Sequence, residues 1–159
     1  MGPSLVDQHA HQAIHDAARF EMEAGTELLH TSVSRQDSMT ALRLARELAD
    51  GWHQRVLAHA DAEEQDMFPQ VVAAFPASEA MVAALIRDHE VMRLLVEEVR
   101  QELDRESEVT PAVLGRFTAL LHVQRLHSSL EELSFLPRIT EGALDARALG
   151  EASTLWPDA

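Results

Sequence analysis

Two stretches of the chain share one pattern of histidine, glutamate and proline. Each begins with a histidine, carries two consecutive glutamates one helical turn later and ends with a proline, in the pattern His-x3-Glu-Glu-x4-Pro. The first stretch runs from His59 to Pro69 and the second from His127 to Pro137. Imidazole and carboxylate groups without sulfur suit iron, manganese or zinc. The repeat therefore predicts a metal site assembled from two similar halves.

The spacing within each stretch places its histidine and its first glutamate on one side of a helix. Residues four apart on a helix lie about 6 Å apart along the axis and are rotated by only ~40°. His59 and Glu63 then point the same way, and so do His127 and Glu131. Two carboxylates that face each other across a bundle can bridge two metal ions. The pattern therefore predicts a dinuclear centre.

Further histidines lie on the apolar faces of the other predicted helices. They are His89 and the pair His11 and His15, which are four apart and share a face. His9 and His30 compete with that pair as candidate ligands on the first helix. The apolar residues that follow His15 best repeat the spacing of those that follow His89. We predict that both His11 and His15 bind metal. The predicted ligands are His11, His15, His59, Glu63, His89, His127 and Glu131. With an oxygen bridge, this set fills most positions around two octahedral irons and leaves one open.

Three further polar residues lie next to the predicted ligands. Glu64 and Glu132 follow the ligand glutamates, and Gln124 precedes His127 by one turn. Each glutamate is either a hydrogen-bonding or solvated side chain, or one that supports or replaces a ligand. Gln124 either lines the pocket or is a satisfied core amide. His53 and His122 are rotated away from the inward faces, so we predict that they lie on the surface.

Composition and charge exclude several classes of function. The 159 residues carry a formal net charge of −14, which disfavours nucleic acid and anionic membrane surfaces as partners. Cysteine is absent, which rules out disulfides, thiolate catalysis and Cys-ligated zinc or iron–sulfur clusters. No apolar run is long enough to span a membrane, and the first residues do not resemble a secretion signal. We therefore expect a cytoplasmic protein.

The elements that must position these residues are helices. Good helix formers dominate the sequence, and no clean strand alternation occurs. Apolar periodicity, Pro76, Ser78 and the Thr110-Pro111 pair predict helices over about 4–31, 38–74, 79–105 and 111–136, with Pro69 as a kink. We predict a single all-α domain over residues 1–159, an antiparallel up-down four-helix bundle with a short C-terminal extension over 138–159.

The motifs resemble those of the hemerythrin, or HHE cation-binding, family over roughly residues 5–137. The His-x3-Glu-Glu repeats, followed by Phe68-Pro69 and by Phe-Leu-Pro ending at Pro137, resemble its second- and fourth-helix signatures, and Asp88-His89-Glu90 resembles its third. The resemblance implies two iron ions, bridged by oxo or hydroxo and by carboxylates. It also implies His59, Glu63, His89, His127 and Glu131 as ligands.

One position departs from the family pattern. Oxygen-carrying hemerythrins place a second histidine on the third helix, where this chain has Arg93. The repeat predicts two helical hairpins related by a pseudo-two-fold axis, and through this axis the pair on the first helix, His11 and His15, is a candidate replacement. One iron would then have three histidines and the other two, which opens a site for dioxygen.

The expected function is binding of dioxygen or another small ligand, such as nitric oxide or peroxide, at a non-haem di-iron site. The alternatives are a di-iron enzyme, either a peroxide-consuming catalase or peroxidase or an oxidase of small substrates, and an iron storage or sensing protein. A ferritin-like site is disfavoured because Glu27-x2-His30 is its only matching motif. A zinc protease is excluded because His-Glu-x-x-His is absent. The native metal and the oligomeric state stay open.

Overall fold

The computed structural model describes residues 8–134, and this part of the chain is a bundle of helices without a strand. Four long helical segments follow one another, and the second is divided by two π-helical turns, Trp52–Leu57 and Glu63–Met67. The α-helices are α1 Gln8–Ser34, α2 Ser38–Gly51, α3 Ala58–Ala62, α4 Phe68–Ala74, α5 Glu79–Arg105 and α6 Pro111–Ser134. None of these described helices is long and apolar enough to cross a membrane. The predicted start near residue 4 and the predicted extension over 138–159 lie outside the described residues.

Side-chain caps set the starts of two helices. The Asp37 carboxylate accepts a hydrogen bond from the Thr40 backbone N–H at 3.1 Å, so α2 begins at the next residue, Ser38. Thr110 accepts from the Val113 N–H at 3.2 Å ahead of Pro111 at the start of α6. Ser78, which marks the next helix start in the sequence and is predicted as its N-cap, does not cap α5 with its side chain, because its hydroxyl donates to the Phe75 carbonyl at 2.7 Å instead.

The segment 38–74 does not continue as one α-helix, and Pro69 explains part of this. Proline lacks an N–H, and its ring clashes with the carbonyl one turn earlier. The chain widens into the π turn Glu63–Met67 just before it, and α4 then starts with Pro69 in its first turn. The two π turns flank His59, and π-helical turns inside α-helices occur frequently at functional sites.

Two apolar clusters fill the bundle core and leave the middle to polar residues. The larger cluster includes Trp52, Val56 and Met92, and the smaller one is built around Met67 and Leu85. On the segment 38–74 and on α5, His59, Glu63 and His89 therefore lie between the two clusters. Helix α1 approaches α2 closely, since a Cβ added at Gly25 would lie 2.8 Å from the Leu48 side chain.

Candidate metal centre

All seven predicted ligands converge in the middle of the bundle. Six are almost completely buried, and the side chain of His59 is 15% exposed. They come from every long segment: His11 and His15 from α1, His59 and Glu63 from 38–74, His89 from α5, and His127 and Glu131 from α6. Unpaired burial of ionisable groups is costly. The ionisable groups of this cluster therefore need partners of opposite charge, either one another or a bound cation.

The Glu63 carboxylate lies at the centre of the cluster. Its Oε1 lies 2.8 Å from His59 Nε2 and 3.1 Å from His11 Nε2. Its Oε2 lies 3.3 Å from His89 Nε2 and 4.0 Å from His127 Nε2. Glu63 thus faces the histidines of both halves, one oxygen toward each.

The Glu131 carboxylate contacts three histidines of the cluster. Its Oε2 accepts a hydrogen bond from His11 Nε2 at 3.2 Å and lies 3.4 Å from His15 and 3.7 Å from His127. The imidazoles also meet in pairs across the bundle. His15 and His59 approach nitrogen to nitrogen at 3.1 Å, and His89 and His127 do the same at 3.1 Å.

The atoms that could bind metal, imidazole nitrogens and carboxylate oxygens, form two groups that share one residue. His11, His15, His59 and Glu63 make one group, and Glu63, His89 and His127 make the other, with the donor atoms of each within 4.8 Å of one another. Neither Glu63 oxygen accepts a well-directed hydrogen bond from the described residues, although imidazole nitrogens are close. Carboxylate oxygens that lie close to imidazole nitrogens without accepting a hydrogen bond from them fit a cation between them. The residues therefore fit two metal ions that share a carboxylate.

Burial and mutual charge shift the proton affinities of these groups in opposite directions. Burial opposes protonation of His11, but the carboxylates of Glu131 and Glu63 outweigh it and raise the pKa of His11 to about 9. Burial, helped by the charge of His89, lowers the pKa of His127 to about 3. Burial and then the Glu63 charge raise the pKa of Glu131. In the cluster without metal, these shifts favour the protonated form of His11 and the neutral form of His127.

The central carboxylate stays ionised. Burial alone would raise the pKa of Glu63, but the imidazoles around it, His11 first, hold that pKa well below its usual range. His89 behaves similarly to His11, since burial is outweighed by the carboxylates of Glu63 and Glu64, which raise the pKa of His89.

Glu64 supports His89 from outside the cluster. His89 Nδ1 donates to Glu64 Oε1 at 2.7 Å, and Arg93 donates to the same oxygen at 2.9 Å and to Asp61 at 2.6 Å. Phe68 stacks on the His89 ring with centroids 5.8 Å apart. Because a carboxylate accepts at Nδ1, the Nε2 of His89 is free to face the centre. The sequence showed Arg93 only as a missing histidine, and its position one turn after His89 was the signal for this role.

The other polar residues predicted beside the ligands, Glu132 and Gln124, differ in how they lie relative to the cluster. Glu132 Oε1 is 3.9 Å from His15 Nδ1, which is too far for a hydrogen bond. Gln124 is buried and lines a cavity of about 20 Å³ beside the cluster. The structure leaves the remaining described histidine side chains outside the centre, on the surface: His30, His53 and His122. The side chain of His9 lies outside the described ones.

Comparison with known proteins agrees with this geometry. The model of the hemerythrin HHE cation-binding domain matches residues 7–139. Neither a search of curated proteins nor a search of solved structures found a significant match. The match covers most of the chain and includes every residue of the cluster. The chain therefore belongs to the hemerythrin HHE cation-binding domain family.

Proposed function

We propose that this protein binds two iron ions in the bundle core and that the resulting centre binds dioxygen or another small ligand, such as nitric oxide or peroxide. The observation that carries the proposal is the double role of Glu63, which belongs to both groups of donor atoms. A carboxylate with one oxygen toward each group can bridge two ions. Iron, when bound, supplies reversible ligand binding and redox chemistry.

The distances support a division of the histidines between the two ions. His11, His15 and His59 would hold one ion, and His89 and His127 the other. Glu63 and Glu131 would contact both, because each lies within 4.0 Å of histidines from the two groups. The ion held by two histidines would have fewer protein ligands and would leave a position for an external molecule. The pair on α1 thus takes the place of the histidine that Arg93 replaces.

The same proposal includes the antiparallel up-down connectivity of the bundle. Side-chain contacts between neighbouring segments support it, because their residue numbers run in opposite directions. Between the segment 38–74 and α5, Arg46 bonds the Leu103 carbonyl, and Arg93 bonds Asp61 further along. This connectivity brings the two His-x3-Glu motifs to the same level of the core.

The size of the cavity favours a small ligand over an organic substrate. About 20 Å³ admits one water-sized molecule, and its walls include Val56, Ala60 and Met92. Dioxygen, nitric oxide and peroxide have the matching size. Consumption of peroxide is the second candidate function, because the same cavity admits peroxide. A cytoplasmic location stays a prediction.

The test compares histidines inside and outside the cluster. We expect His11→Ala to lower the iron content per chain and to change the iron spectrum, and we expect His30→Ala, which alters an exposed histidine of the same helix, to change neither. An unchanged iron content and spectrum in His11→Ala would refute the ligand assignment. Stopped-flow mixing of the reduced protein with dioxygen and with peroxide then distinguishes binding from turnover. A stable complex supports binding, and continuous peroxide loss that requires iron supports an enzyme.

A further inference from the structure

We propose that the side-chain amide of Gln124 hydrogen-bonds the small ligand in the cavity and thereby selects ligands whose outer atom accepts a hydrogen bond. The inference rests on the proposed metal centre and specifies which kind of molecule it admits. One buried polar side chain carries the inference. Gln124 is 4% exposed, and neither its Oε1 nor its NH2 group has a hydrogen-bond partner among the described residues.

An unpartnered amide is unusual in a core. Buried polar groups are almost always hydrogen-bonded, and an exception calls for an explanation. Helix α6 brings Gln124 one turn before His127, on the same inward face. The side chain therefore lies beside the proposed two-histidine ion and lines the cavity.

The other walls of the cavity leave Gln124 as the group suited to recognition. Most polar walls are the proposed ligands themselves, and the rest are chiefly apolar, including Ile14 and Met92. Arg55 also lines it but is mostly exposed and paired with Glu21. Ser128 is only half-buried. Among the cavity residues that the structure describes, Gln124 is thus the buried polar side chain that the metal does not use.

The chemistry of an amide defines the ligand class. The NH2 group donates and the carbonyl accepts, so the amide can pair with a ligand that carries a lone pair or a proton on its outer atom. The small cavity, about 20 Å³, favours a ligand of one or two heavy atoms. Donation to a negatively charged outer atom is the stronger case, because charge-assisted hydrogen bonds exceed neutral ones. Small anions with an acceptor end are therefore the preferred ligands.

The test uses the iron-loaded full chain and cyanide as the probe, because cyanide is a two-atom anion whose nitrogen accepts a hydrogen bond. Gln124→Leu keeps the approximate size and removes the amide. Gln101→Leu is the matched control, since Gln101 is an exposed glutamine on α5. We expect Gln124→Leu to retain the wild-type iron content but to lose about 10- to 100-fold in cyanide affinity by optical titration. Gln101→Leu should leave both unchanged.

A second measurement does not require metal. In the chelator-treated protein, Gln124→Leu removes an unpartnered buried amide, so the melting temperature should stay the same or rise. A fall of several degrees would show that Gln124 is a partnered structural residue and would overturn the inference. Equal cyanide affinity in wild type and Gln124→Leu at equal iron content would also overturn it. Loss of iron from the wild-type protein itself would instead refute the metal centre on which the inference rests.

Discussion

Raising the pH should destabilise the metal-free protein through His11. This imidazole is completely buried and lies 3.1 Å from Glu63 and 3.2 Å from Glu131. Although burial opposes protonation, these carboxylates raise its pKa from 6.5 to about 9. Because the pKa is higher in the folded state, protonated His11 stabilises the fold in full below pH 6.5, and the contribution disappears as the pH rises through 9. The shift corresponds to about 3 kcal/mol in the free energy of unfolding.

Few other side chains of this sequence titrate in the pH range of this measurement. All 13 of its Lys and Arg residues are arginine, and it has no tyrosine and no cysteine. Lysine, tyrosine and cysteine, the side chains that ordinarily titrate between neutral pH and the range of arginine, therefore do not contribute. The lowered pKa of His127, about 3, affects stability only below pH 6.5. His89, whose pKa is also raised, titrates in both wild type and a His11 variant.

The assay is urea denaturation of chelator-treated protein at about pH 6 and about pH 10. Wild type should lose about 3 kcal/mol more than His11→Gln between the two values. His30→Gln, which changes an exposed histidine of α1, should follow wild type. If wild type and His11→Gln lose stability in parallel, His11 is not the buried cation of the cluster, and the electrostatic account is wrong.

Three further predictions concern the bridge, its support and the bundle. Glu63→Gln should reduce iron from about two per chain to about one or fewer in elemental analysis, whereas Glu132→Gln, which changes a carboxylate too far to bond His15, should not. Glu64→Ala removes the acceptor that orients His89 and should weaken metal binding by about 10- to 100-fold in chelator competition. The control is Glu90→Ala, on the exposed face of α5, and equal weakening in the two variants would contradict the role of Glu64. Gly115→Ala should stabilise α6 by about 0.5–1 kcal/mol in urea melts, because a Cβ there meets nothing within 4 Å, and a loss of stability would contradict this.

The sequence predicted the all-helical bundle because local signals mark its elements. The carboxylate of Asp37 and the Thr110-Pro111 pair act at their own helix starts, so their effect does not depend on distant residues. The cluster was predictable for the same reason. A histidine and a glutamate four apart share a helix face whatever the helix packs against, and the face that carries them is otherwise apolar.

Other features depend on packing between segments and could not be read from spacing. The π turns around His59 reflect how 38–74 fits its neighbours, and Pro69 signalled only a disturbance. Both His11 and His15 lie on one face, and only the distances to Glu63 and Glu131 show that both reach the centre. The two interpretations of Gln124, a pocket residue or a satisfied core amide, place it on the same inward face, so spacing could not separate them. The observation that separates them is structural: the Oε1 of Gln124 has no hydrogen-bond partner among the described residues.

The most direct test of the metal centre is the iron content and optical spectrum of aerobically purified protein. We expect about two irons per chain and the near-ultraviolet charge-transfer bands of a bridged ferric pair. In Glu63→Gln the iron should fall to about one per chain or fewer, and the bands should be lost. An iron content well below one per chain, even after anaerobic reconstitution with ferrous iron, would contradict the metal centre. The buried histidines and glutamates would then be a structural network and not a metal centre.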